Sequence, residues 1–184
     1  MYDNEELVGE AVRDCREKVL LVSKVLPSNA SYRGTKLACE RSLLKLGTEY
    51  IDLYLLHWKG RHPYEETVRA MTELQQEGKI RLWGVSNMDT ADMERIVSLS
   101  GGSGCATDQV LYNLGDRGIE FDSCRGALPV ECHLWLIRPS EKDDFCTTIH
   151  WWKSPGDTMY RLHKSHCRGR CVSSVSLPYP KPVM

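Results

Sequence analysis

Four short stretches of this chain place a polar side chain at the end of an apolar run. They are Lys24 in VSKV, His57 in LLHW, Ser86 and Asn87 in GVSN, and Gln109 in TDQV. An ammonium and an imidazole hold and move protons, and hydroxyl and amide side chains grip polar ligands through hydrogen bonds. A lysine at the end of a buried strand is rare unless it is paired or functional. Each residue taken singly also has a plain structural reading. Lys24 could snorkel to solvent, His57 could be a hydrogen-bonded core histidine, and Ser86 with Asn87 could cap the next helix. At corresponding positions of consecutive units, the set fits a site better than chance does.

The elements that must position these residues alternate between strand and helix. Residues 18–25, 50–57, 80–87 and roughly 106–112 read as strands, from their apolar and β-branched runs. Helices are expected over 4–13 and over 33–46, where Leu37, Ala38 and Leu44 share a face and Gly47 forms the C-cap. A further helix follows Pro63, with Val68, Met71 and Leu74 on its buried side and Gly78 at its end. Another follows Asp89 as N-cap, with Asp92 three residues on and Met93, Ile96 and Val97 at helical spacing. The strand centres recur every ~25–32 residues, the period of a βα unit. Serial right-handed units give a parallel sheet, either open and doubly wound or closed as a barrel, and periodicity does not choose between them. No G-x-G-x-x-G follows any strand, which weakens a dinucleotide-fingerprint reading. In parallel βα folds, function gathers at the C-terminal strand ends, where the four polar stretches fall.

The chain has 184 residues, and a complete (β/α)8 barrel usually needs about 250, so only part of one is expected. Lysine and arginine number 24 against 25 acids, which gives no general drive toward nucleic acid or an anionic membrane. Apolar residues make up 41%, enough for a core. No apolar run reaches transmembrane length, and the acidic start MYDNEELVGE does not read as a signal or transit peptide. The expected location is the cytoplasm. Composition changes near Asp122. Residues 1–122 carry 15 basic and 20 acidic residues with three Cys, two His and two Pro. Residues 123–184 carry 9 basic and 5 acidic residues with five Cys, four His and six Pro.

The segments ELVGEAV, KVLLVSKV, SLLKLGTEYIDLYLLHW, EETVRAMTELQQEGKIRLWGVSN, DQVLYN and GIEFD occur in that order. Together they resemble the middle section of the aldo-keto reductases, nearest the bacterial branch related to methylglyoxal reductase. The resemblance covers residues 1–122 almost without a gap. It implies part of a (β/α)8 barrel of about four parallel βα units, NADPH as hydride donor and a small carbonyl substrate. It also implies roles. Tyr2 matches the family's catalytic tyrosine, whose hydroxyl protonates the carbonyl oxygen. A free tyrosine pKa near 10 is too high for this work at neutral pH, and Lys24 would lower it because a nearby cation favours phenolate. His57 would orient the carbonyl, Trp58 would wall the substrate pocket, and Ser86, Asn87 and Gln109 would hold the nicotinamide carboxamide. Apart from the resemblance, Tyr2 reads as a frayed second residue.

The same resemblance sets expectations about what lies outside the match. The family's catalytic aspartate, five residues before the tyrosine, would precede Met1, as would the first two barrel strands. The A-Y-S-P segment whose tyrosine stacks on nicotinamide, and the last two strands that bind the cofactor's phosphates, are not legible in residues 123–184, which are expected to be irregular. A frameshift accounts for this. Read with the third base of each codon joined to the first two bases of the next, the codons of Trp151 and Trp152 must give Val, and those of Met159 and Tyr160 must give Val. The stretch around them can read VEIARRHHVSPAQVAL, residues 131–140 can read MPLMAYSPL, and residues 122–127 can read LLPWC. All three resemble family segments in the family's order. The competing reading of the tail is a zinc site from Cys132, His133, Cys146, His150, His163, His166, Cys167 and Cys171. It lacks a repeated C-x-x-C and any hydrophobic period, so no metal is expected. Disulfides are disfavoured because no export signal is legible.

Three function classes follow: an NADPH-dependent reductase, an inactive remnant of one, and a half barrel that pairs with another chain or with itself. The sequence reading favours reductase ancestry, an 184-residue polypeptide with weak or absent NADPH binding, and self-association through open barrel edges.

Overall fold

The computed structural model describes residues 4–111, 133–137 and 148–151. Four helices, α1 (Glu5–Val12), α2 (Tyr32–Leu46), α3 (Tyr64–Gln76) and α4 (Thr90–Ser98), alternate with strands β1 (Val22–Val25), β2 (Ile51–Leu56), β3 (Ile80–Ser86) and β4 (Cys105–Leu111). Strands β5 (His133–Ile137) and β6 (Thr148–Trp151) extend the same sheet. The strands lie in chain order, parallel from β1 to β5, with β6 antiparallel to β5.

That order settles what periodicity left open. A doubly wound sheet reverses its strand order at a switch point and carries helices on both faces. Consecutive right-handed βα units instead place every helix on one face, as in a barrel wall. The helix-side face holds the core. Val25, Tyr54, Leu56, Trp83, Val85 and Cys105 from the strands meet Cys39 of α2, Met71 and Leu74 of α3, and Met93 and Ile96 of α4. Side chains alternate along a strand, so Lys24, Leu55 and Gly84, aligned in one register row, lie on the opposite, concave face. Burial drives the Cys39 thiol up to about 12.

One irregularity sets the concave face. Trp83 pairs with Cys105, but two residues later Val85 pairs with Asp108, so β4 carries one extra residue. A one-residue insertion exchanges the faces of everything beyond it. Asp108 therefore turns to the helix side with Val85, and Gln109 turns to the concave side with Ser86. Gly84 sits beside the shift. A Cβ there would lie 2.4 Å from the Thr107 carbonyl oxygen, 2.9 Å from Thr107 Cγ2 and 3.0 Å from Leu55 Cδ2. Glycine lets β3 and β4 approach where the ladder is interrupted.

The opposite end of the sheet is closed by charge pairing. Buried Asp52 accepts a hydrogen bond from Arg16 Nη2 at 2.8 Å and from the Leu21 N–H at 2.9 Å, and Arg81 Nη1 lies 3.1 Å from its other oxygen. The Tyr50 ring lies between the two guanidiniums, 4.1 Å from Arg16 and 4.0 Å from Arg81. These contacts pin the 3-10 segment Arg13–Lys18 beneath β2 and β3.

Several local expectations need correction. Leu37 and Leu44 do not face the core. Leu44 is 84% exposed, and the buried residues of α2 are Thr35, Cys39, Ser42 and Leu46. The helix is turned because Thr35 Oγ1 donates to the Asn29 carbonyl at 3.3 Å and small residues let it approach the sheet. The first strand is shorter than 18–25, because Lys18 still belongs to the 3-10 segment. Asp89 caps α4 as expected, its carboxylate accepting from the Asp92 N–H at 2.7 Å, but Asp92 is bound to Lys59 at 2.7 Å. The sheet also continues past Asp122. The sequences HLWLI and TIHW are β-prone; the first pairs at the backbone edge of β4 and the second pairs with it in turn, so these nine tail residues join the sheet instead of being irregular.

The close approach at Gly84 yields a stability test. Gly84→Ala must push Thr107 or Leu55 aside and should cost about 1–3 kcal/mol. Gly47→Ala meets no atom within 4 Å and strains only a φ of 61°, costing about 1 kcal/mol. Urea midpoints of the two variants should fall in that order.

Candidate functional site

The site is built from the carboxyl ends of β1 to β4. Lys24 is the penultimate residue of β1, half-buried on the concave face. Among the described residues it makes no hydrogen bond and no ion pair. Burial without a counter-ion pulls its pKa down to about 8.

His57 follows β2, and its backbone N–H donates to the Val25 carbonyl at 3.0 Å, which fixes the chain leaving the strand. Its Nδ1 is buried without a partner among the described residues. Burial lowers the imidazole pKa, and the Lys24 charge lowers it further. Neutral imidazole is therefore the resting form at pH 7. The Trp58 ring lies 4.2 Å from the His57 ring at 51° and is half exposed, a wall open to solvent on one side.

Ser86, Asn87 and Gln109 form a hydrogen-bonded group. Ser86 Oγ donates to the Gln109 carbonyl at 2.7 Å, and the Asn87 N–H donates to the same oxygen at 2.9 Å. Asn87 Nδ2 donates to Ser86 Oγ at 3.2 Å, and Asn87 Oδ1 accepts from the Leu111 N–H at 3.3 Å. Asn87 has φ of 57°, a left-handed conformation that asparagine tolerates because its short amide bonds locally. Gln109 is buried, and its Oε1 is unpartnered among the described residues. A buried acceptor of that kind, on the face that Ser86 shares, suits the N–H of a primary carboxamide.

The structure thus brings Lys24 together with His57, and Ser86 and Asn87 together with Gln109, all at one end of a parallel sheet. Tyr2 lies outside the described residues, as do the tail's candidate ligands Cys132, Cys146, His163, His166, Cys167 and Cys171. Among the described residues no group of three or more His, Cys, Asp or Glu could hold a metal.

Sequence reasoning passed over Asp108. It is fully buried on the helix side, accepts from the Met88 N–H at 3.5 Å, and so holds the turn that contains Asn87. Burial raises its carboxyl pKa to about 7. The signal was present, since an acid inside ATDQVL interrupts an otherwise buried strand.

Two expected outcomes follow. Asp108 has a folded pKa above its unfolded value of 3.8, so the stability it contributes is present at low pH and is lost as pH rises through about 7. Asp108→Asn should raise Tm at pH 8 and change it little at pH 4, read by thermal scans at both. For His57 the folded pKa lies below the unfolded one, so its contribution is present above pH ~6.5 and lost as pH falls below it. Removing the neighbouring charge with Lys24→Met should move the His57 titration upward in an NMR pH series.

No helix among the described residues is long and apolar enough to cross a membrane. Residues 1–121 match the model of the aldo/keto reductase family. The chain is 59% identical over 118 residues to the methylglyoxal reductase YeaE of Escherichia coli, covering 64% of this chain and 42% of that protein. It is 40% identical over 100 residues to the glyoxal reductase of Bacillus subtilis, covering 53% of this chain and 36% of that protein. An aldo/keto reductase from Klebsiella pneumoniae, solved in complex with NADP and acetate, superposes with a TM-score of 0.64 at 52% identity, covering 70% of this chain and 47% of that one. The chain thus spans less than half the length of these relatives. With the strand order of a barrel wall and a family match across about two thirds of its length, the chain belongs to the aldo/keto reductase family.

Proposed function

We propose that residues 1–122 carry the proton-handling and carboxamide-holding half of an NADPH-dependent reductase site for small aldehydes and ketones such as methylglyoxal. The observation that supports this most is the pair of groups at adjoining strand ends, Lys24 and His57, that lack partners among the described residues, on the face where Gln109 Oε1 also lacks one among them. When bound, NADPH supplies a hydride to the carbonyl carbon. The chain's own residues do the rest. The Tyr2 hydroxyl gives its proton to the carbonyl oxygen. Lys24 lowers the cost of the resulting phenolate, since an ammonium beside a phenol stabilises its anion. Neutral His57 hydrogen-bonds the carbonyl oxygen and sets its direction. Trp58 covers the substrate, and Ser86, Asn87 and Gln109 hold the carboxamide so that one ring face is presented.

We also propose that the 184 residues alone, in the cytoplasm, do not turn over carbonyl compounds and self-associate. The sheet of described residues is open, with β1 at one edge. On its concave face Leu82 and Leu111 are 41% and 42% exposed. Open edges and apolar concave residues favour pairing between copies. Residues 123–184 are a tail read in a shifted frame. Its support is the change of composition at Asp122, and the shifted readings of residues 122–127, 131–140 and the stretch around Trp151 and Tyr160, which resemble family segments in the family's order.

The site is tested by exchange. Residues 4–111 placed in the matching segment of the E. coli relative should give a chimera that oxidises NADPH with methylglyoxal. Lys24→Met or His57→Ala should then lower kcat by about 10²–10⁴. A chimera that folds and binds NADPH but is indifferent to both substitutions would refute the assignment. For the 184-residue chain alone, NADPH oxidation should stay at background, and light scattering should report a mass above that of the monomer.

A further inference from the structure

We infer that the Lys59–Asp92 ion pair positions Trp58 over the strand ends and, through it, sets how large a carbonyl substrate the site admits. The inference rests on the reading above in taking Trp58 as a wall of the substrate site. Trp58 stands in the loop between β2 and α3, and its ring is half exposed. A ring with so much free surface is not fixed by its own packing, so its place depends on how the backbone beside it is held.

That backbone is held from the β1 side and from the α4 side. Just before the ring, the His57 N–H donates to the Val25 carbonyl at 3.0 Å and ties the chain to β1. Just after it, Lys59 Nζ reaches Asp92 Oδ1 at 2.7 Å, in the first turn of α4. Gly60 then lies against the turn that follows β1, where an added Cβ would meet Pro27 Cβ and the Pro27 carbonyl oxygen at 2.8 Å. Asp92 is the fixed end of the ion pair. Its side chain is 12% exposed, its N–H donates to the Asp89 carboxylate at 2.7 Å, and Met93 and Ile96 seat its helix in the core. Lys59, with a side chain 61% exposed, is the movable end. The loop's far end is joined to the same region. Tyr64 Oη donates to Met88 Sδ at 3.5 Å, and Arg95 Nη2 donates to Glu65 at 3.2 Å. Burial and then the nearby Asp92 carboxylate push the Tyr64 hydroxyl pKa up. Those contacts seat the start of α3, whereas Lys59 adjoins Trp58 directly. A half-exposed ion pair adds little to global stability. A carboxylate as covered as Asp92 nonetheless costs free energy when left unpaired, and this keeps the Lys59 ammonium, and the loop with it, drawn toward α4.

The test uses the full 184-residue chain carrying 5-fluorotryptophan, without NADPH or substrate. Trp58→Phe assigns the Trp58 fluorine signal, and the signal of buried Trp83 reports that each variant is folded. Asp92→Asn removes the partner from another element and leaves the loop's own sequence intact. It should shift the Trp58 signal, Lys59→Met should shift it too, and the double variant should go no further than the larger single shift. Lys59→Arg keeps the cation and should hold the wild-type position. In the wild type, raising NaCl from ~0.05 M to ~1 M should move the signal toward its place in Asp92→Asn, because salt screens a half-exposed pair. A wild-type Trp58 signal that salt leaves in place would overturn the inference, and that series needs no variant. A shift in Lys59→Arg as large as in Lys59→Met would overturn it as well. In the chimera, Lys59→Met should lower the kcat/KM for methylglyoxal relative to that for 4-nitrobenzaldehyde about fivefold, chiefly through KM. An unchanged ratio would overturn the claim about substrate size. A chimera without NADPH oxidation would sink the reductase reading and the size claim with it, while the fluorine shifts still decide whether the pair positions Trp58.

Discussion

The extra residue of β4 between Cys105 and Asp108 is the constraint on which the site depends. Parallel strands can set polar groups at one end of a sheet, but the two-residue period decides which face each group meets. In unbroken register with Trp83 and Cys105, Asp108 would stand on the concave face and Gln109 would be buried against the helices. The shift reverses both. It gives the concave face a neutral amide acceptor and moves a carboxylate away from Lys24. Gly84 permits this because no side chain stands between its backbone and Thr107.

The two ends of the sheet manage charge in opposite ways. Beneath β2 and β3, Asp52 is compensated by two arginines, and α2 and α3 are laced by Lys36, Glu73, Glu77 and Lys79. For buried Asp52 the pairing offsets part of the cost of desolvating a carboxylate. At the carboxyl ends, Lys24, His57, Gln109 and Asp108 are desolvated with little or no compensation among the described residues, and the pKa of each ionisable member is displaced toward its neutral form. In the proposed site, a bound ligand would be the partner that Lys24, His57 and Gln109 lack among the described residues.

The alternation of strands and helices was legible because apolar runs and helical spacing are local properties. Lys24, His57, Ser86, Asn87 and Gln109 stood out for the same reason, as polar residues ending apolar runs. The register shift was not legible, since one added residue alters no composition and its effect depends on pairing with a strand some twenty residues earlier. Asp108 was missed with it, because its burial follows from the shift. The orientation of α2 was misread because Thr35 and Ser42 are polar and yet face the sheet, while Leu44 faces solvent. That outcome is set by tertiary contact, which outweighs a weak amphipathic pattern. Strands β5 and β6 were hidden because their pairing partners, an open edge and each other, are not written in their own short sequences. Tyr2 was singled out by resemblance alone.

Cys39 has a use unrelated to carbonyl chemistry. Its thiol is sealed between α2 and the sheet, and burial holds it up to about 12, so it does not react while that helix is seated. Alkylation proceeds through the thiolate. Each covalent mark on Cys39 therefore records a moment when α2 lifted from the sheet. The accumulation of marks with time is a clock for that opening, built into the native chain with no added label.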